Sequence, residues 1–75
     1  MLTQNEMIAN HLREFGSITQ MEAINEYGCF RLSARIHDLR AKGMDIDTID
    51  TVRVNRYGVK VRFARYVLNG ESYEQ

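Results

Sequence analysis

The stretch Val52-Arg-Val-Asn-Arg-Tyr-Gly-Val-Lys-Val-Arg-Phe-Ala-Arg-Tyr-Val-Leu68 decides how this chain folds. Apolar and basic residues alternate on both sides of Asn55-Arg56-Tyr57-Gly58, a period of two that sends successive side chains to opposite faces of a strand. The segment therefore reads as a basic β-hairpin. Pairing Asn55 with Gly58 across an Arg56-Tyr57 tip sets Val54 against Val59, Arg53 against Lys60, Val52 against Val61 and Ile49 against Ala64. In that register the inward parity of both strands changes near one rung, which predicts a twist or bulge where the hairpin leaves the body.

Ahead of the hairpin the period changes from two to that of a helix. Leu32, Ile36 and Leu39 recur at helical spacing in a basic segment over 31–42, and Gly43 closes it. Further back, Thr3-Gln-Asn-Glu6 and Thr19-Gln-Met-Glu22 are two capping-box patterns. The first predicts a helix over 4–15 with Ile8, Leu12 and Phe15 on one face and Gly16 as its stop. The second opens a helix carrying Ala23, Ile24 and Tyr27 that ends at Gly28, with Ser17-Ile18 between the two as no more than a stub of strand. The fold class is thus α+β, three helices followed by a β-hairpin, and the short link between helices two and three gives the order of a winged helix-turn-helix.

A chain of 75 residues makes one domain over 1–75. Its ordered core is expected over about 3–68, with a frayed C-terminal tail over 69–75. So short a chain buries a small core and leaves no room for a deep catalytic pocket. One cysteine, Cys29, excludes an internal disulfide, and no apolar run reaches the length of a membrane span, so a cytoplasmic location is expected. Net charge is zero, but the charges are segregated. Residues 1–30 set Arg13 against four glutamates, 31–42 set four cations against Asp38, and 51–69 hold five cations and no acid. The acids Asp45, Asp47, Asp50, Glu71 and Glu74 complete the balance. Two neighbouring basic elements offer cations to a polyanion, of which nucleic acid is the simplest.

On the third helix, with Leu32, Ile36 and Leu39 inward, steps of 100° turn Arg31, Ala34, His37, Asp38 and Ala41 away from the core and set Ser33 and Arg35 on the flanks. Small residues beside long ones suit a helix lying close to DNA. Arg31 and Arg35 could bind guanine or phosphate, Ser33 a phosphate or base, and His37 at most the same. The plainer reading is a solvated face with Arg35 and Asp38 in a local pair. In the hairpin, Arg53 and Lys60 on one rung with Arg62 on the next would crowd like charges on one face, a cost relieved by an anion. Edge protection is the plainer use of such cations. Arg56 and Tyr57 at the tip are the natural groove probe.

Catalytic and metal chemistry find little support. His11, expected on a helix surface, and His37 lie far apart with Cys29 alone between them, which is no zinc spacing, and Cys29 reads as a small buried apolar residue. The five glycines are too scattered for a phosphate-binding loop, and no cofactor is implied.

The runs Gly16-Ser-Ile-Thr-Gln-Met-Glu-Ala-Ile24, Arg31-Leu-Ser-Ala-Arg-Ile-His-Asp-Leu-Arg40, Asn55-Arg-Tyr-Gly58 and Ala64-Arg-Tyr66 resemble those of small helix-turn-helix proteins common in bacteriophages and prophages, over roughly residues 3–68. The resemblance implies a winged-helix DNA-binding fold in a phage or prophage cytoplasmic protein. It carries over Arg31, Ser33, Ala34 and Arg35 as recognition-helix positions and Asn55, Arg56 and Tyr57 as wing positions.

The expected function is non-enzymatic, sequence-selective binding of double-stranded DNA by a small transcriptional regulator. Helix three would occupy the major groove, the wing would reach phosphates or the minor groove, and a homodimer would raise specificity. The alternative is a protein-interaction module of phage origin that inhibits a host or defence protein through the basic wing.

Overall fold

The first two helices begin and end where a local group replaces the missing helical bond. The structure is a computed structural model and describes residues 1–71. Helix α1 spans Gln4–Phe15: the Thr3 hydroxyl accepts the Glu6 N–H, and the Glu6 carboxylate accepts the Thr3 N–H. The same box, made by Thr19 and Glu22, opens α2, Gln20–Tyr27. Gly16 and Gly28 close the two helices in the left-handed conformation. Helix α3, Leu32–Ala41, has no side-chain cap from its own first turn. Its leading N–H, that of Leu32, donates 3.1 Å to Gln20 Oε1 of α2.

Three antiparallel strands complete the fold: β1, Ser17–Thr19; β2, Met44–Val54; and β3, Lys60–Glu71. Their order is β1-β3-β2. The stub expected at Ser17-Ile18 is thus a short edge strand, registered Ser17 to Val67 and Ile18 to Tyr66. Strand β3 runs to Glu71, opposite Met44, so the order expected to end at 68 extends three residues further. The rest of the tail expected to fray lies outside the described residues. At 32–41, α3 is one residue shorter at each end than the basic segment.

Apolar side chains from every helix and strand meet in one core. Ile8, Leu12, Ile18, Ala23, Cys29, Leu32, Ile36, Leu39, Met44 and Ile46 are buried, with Tyr27, Tyr66 and Leu68 packed against them. Cys29 takes the small apolar role expected of it. His11 does not stay on the surface: it is 6% exposed, with its Nδ1 2.6 Å from the Tyr27 hydroxyl and its ring edge-on to Tyr27. The correction follows from its position three residues after Ile8, on the margin of the buried face, where α2 supplies a phenol as polar partner. Burial, and then Glu26, Glu14 and Glu22 nearby, push the Tyr27 hydroxyl above the ordinary phenol range, so it stays protonated.

The hairpin departs from the expected register by one residue. Gly58 N–H donates to Asn55 O across Arg56-Tyr57, as the tip requires, but Gly58 itself is left-handed at φ 78° and inserts as an extra residue. Asn55 therefore bonds Val59, Val54 pairs with Lys60, Arg53 with Val61 and Val52 with Arg62. A two-residue Arg-Tyr loop of either favoured hairpin type would need positive φ at Arg56 or at both residues, which side chains resist; a turn followed by a left-handed glycine avoids that and suits the twist of the strands. With the register shifted, no parity change is needed near Ile49. The irregularity lies instead between Asp45 and Ile46, beside the core.

Candidate nucleic-acid interface

Beyond the last rung shared with β1, that of Thr19 and Arg65, β2 and β3 continue as a two-stranded ribbon, with Phe63 at its base half-buried beside α2. The five further rungs, at ~3.3 Å per residue, project it about 16 Å past the body. The molecule is accordingly elongated, 51 Å by 25 Å by 20 Å. From Val52 to Arg62 every residue is exposed. Asn55 holds the tip: its Oδ1 accepts the N–H groups of Tyr57, at 2.9 Å, and Val59, at 3.1 Å. Tyr57 is thereby presented at 82% exposure from a fixed turn.

The register removes the crowded rung. Arg53 lies opposite Val61 on one face of the ribbon, with Phe63 and Arg65, while Lys60 and Arg62 lie opposite Val54 and Val52 on the other. That second face is the one that, nearer the body, carries Ile46 and Leu68 into the core. The wing thus shows cations on both faces, and the expected like-charge cost between Arg53 and Lys60 does not arise.

The ten cations divide by what holds them. Arg13 pairs with Glu71 at 2.8 Å, Arg35 with Asp38 at 3.2 Å, and Arg65 bonds the Ser17 hydroxyl near Glu22. Arg40 donates twice to the carbonyl of Ile46, and once to the Thr48 hydroxyl, tying α3 to β2. Those four are parts of the fold. Arg31, Arg53, Arg56, Lys60 and Arg62 are exposed and make no ion pair or hydrogen bond among the described residues, and Lys42 shares that state at the other end of α3, near Glu6. The first five all belong to the start of α3 and the wing.

Arg31, just ahead of α3, and His37 on it are exposed as expected; Ser33, expected on a flank, is exposed too, whereas Ala34, expected to turn away from the core, is half-buried. Arg35 is half-buried and takes the local pair with Asp38, which also accepts from Asn5 of α1. Sequence reasoning did not find Gln20 or Phe30. Gln20 Nε2 donates to the carbonyl of Cys29 at 2.7 Å while its Oε1 accepts from Leu32, so one amide spans the turn between α2 and α3. Between those bonds Phe30 stands 74% exposed. Nothing local in the sequence signals a side chain that reaches nine and twelve residues along the chain.

A sequence model of the winged helix-turn-helix domain matches residues 3–71, almost the whole chain. The chain belongs to the winged helix-turn-helix family. The three helices and small three-stranded antiparallel sheet are consistent with that membership. A winged helix-turn-helix domain is typically a non-enzymatic module, and the family suggests DNA as the partner. No curated protein and no solved structure matches the chain. Among the described residues no helix is long and apolar enough to cross a membrane.

Proposed function

We propose that this winged helix-turn-helix chain binds double-stranded DNA sequence-selectively and acts as a small transcriptional regulator in the cytoplasm of a bacterial cell. The observation that carries the reading is the set of five exposed, unpaired cations at the start of α3 and along the wing, within a fold whose other cations are mostly held by partners. Phosphates supply the missing counter-charge. Helix α3 enters the major groove with Arg31 and Ser33 toward base edges or phosphates and the small Ala34 allowing close approach; Arg35 and His37 flank it. Arg53, Arg56, Lys60 and Arg62 meet phosphates or the adjacent minor groove, with Tyr57 at the tip and Asn55 holding it. The acidic α1 and α2 face away.

A homodimer on a two-fold site would enlarge the contact made by a single small domain. The resemblance of the α3 and turn segments to small phage proteins supports a phage or prophage regulator. The reading is tested by fluorescence anisotropy with random duplex and with duplex from upstream of its own gene, at two salt concentrations. Tight, salt-sensitive binding that prefers the upstream duplex and is lost in Arg31→Ala/Arg56→Ala is expected. No binding to either duplex at low salt would overturn it.

One observation favours a second reading, docking on a host protein. Met21 and Ile24 of α2 and Phe63 of β3 line a groove rimmed by Arg53 and Arg65, an apolar centre of the kind protein anchors fill. In that case Met21→Ala and Phe63→Ala, rather than the arginine variants, would abolish binding.

A further inference from the structure

Phe30 is a large apolar side chain exposed at the start of α3, and the backbone on both sides of it is fixed. Cys29 before it and Leu32 after it are fully buried. The Gln20 amide bonds the Cys29 carbonyl and the Leu32 N–H, bracketing the dipeptide Phe30-Arg31. Both its side chains face solvent, and neither has a hydrogen-bonding or ionic partner among the described residues. With its backbone bracketed in this way, the dipeptide loses little further main-chain freedom on binding, so the position of Phe30 is preorganised.

What such a ring can recognise follows from what base edges offer. In the major groove, the thymine 5-methyl is the apolar group among donors and acceptors, and aromatic or small apolar side chains contact it. Around Phe30 stand Arg31, a cation for phosphate or guanine, and one turn on, the small Ala34, which lets the backbone approach. We infer that Phe30 is a specificity-determining residue that packs on the 5-methyl group of a thymine at the edge of the site entered by α3. This rests on the reading of the chain as a DNA-binding protein.

The test begins by selecting preferred duplexes from a randomised pool with the full chain. Each thymine of the selected site is then replaced singly by deoxyuridine, which removes only the methyl group, and binding is measured for the wild type and Phe30→Ala. One thymine is expected at which deoxyuridine weakens wild-type binding about fourfold, the worth of one buried methyl-sized group, and leaves Phe30→Ala unaffected. The thermal midpoint of Phe30→Ala should match wild type, because the ring is exposed. Duplex binding that is intact but shows equal deoxyuridine penalties in both proteins, or none, overturns the role of Phe30 and leaves the DNA-binding reading standing. Absence of duplex binding altogether overturns both. Preference for single-stranded DNA that disappears in Phe30→Ala would assign the ring to base stacking instead.

Discussion

The helical body and the wing use similar residues for opposite purposes. In the body, Arg13, Arg40 and Arg65 are turned back onto the protein, and the aromatic Tyr27 closes on His11. In the wing, Arg53, Arg56, Lys60 and Arg62 and the aromatic Tyr57 are exposed and make no hydrogen bond or ion pair through their side chains among the described residues, whereas Asn55 holds the turn. Those three cations of the body serve the fold. A cation in the wing has no ion pair or hydrogen bond to lose among the described residues.

The sharpest contrast comes from apolar residues. Ile36→Ala in the body removes a fully packed side chain and should cost about 2–5 kcal/mol, enough to abolish cooperative urea unfolding in so small a domain. Val54→Ala in the wing should change stability by less than about 0.5 kcal/mol in the same experiment. Next in size is Gln20→Ala, which leaves the Cys29 carbonyl and Leu32 N–H without their partner and should cost about 1–3 kcal/mol. Asn55→Ala removes two turn bonds and should cost about 1 kcal/mol. Its signature is faster amide exchange at Tyr57 and Val59 with the body unchanged; protection lost throughout would mean that wing and body fold as one unit.

How much of this was legible in the sequence depends on the range of the interaction. The capping boxes at Thr3 and Thr19 lie within four residues, so both helix starts could be read directly. The Arg56-Tyr57 tip was readable for the same reason. The register was not, because it turned on whether Gly58 belongs to the strand or to the turn. The symptom was available: pairing Asn55 with Gly58 forced a parity change that the observed register does not need. The burial of His11 and the bracket made by Gln20 depend on α2 meeting other elements, which no local pattern encodes. The candidate site was legible as a set of cations, but not which were free, since Arg40 and Arg65 look in sequence like Arg53 and Arg62.

The smallest expected effect is a pH effect in the body. The Thr3 N–H, then the Thr3 hydroxyl, with Lys42 a smaller influence, hold the Glu6 carboxyl below its ordinary value of 4.5. A lowered folded value means that the box stabilises α1 above pH 4.5 and loses that effect as the pH falls through the folded value. Glu6→Gln should therefore flatten the acid limb of stability against pH below 4.5, while an unchanged limb would show that the box contributes nothing there.

If the unpaired cations at the start of α3 and along the wing meet phosphate, duplex binding must weaken steeply as salt rises. Wild type should lose affinity with a slope of log affinity against log salt near −4.5, for about five phosphates neutralised. Lys60→Ala/Arg62→Ala should fold as stably as wild type and reduce that slope by about 1.8. A slope that is the same in both proteins, or duplex binding that does not respond to salt, would mean that these cations do not neutralise phosphates.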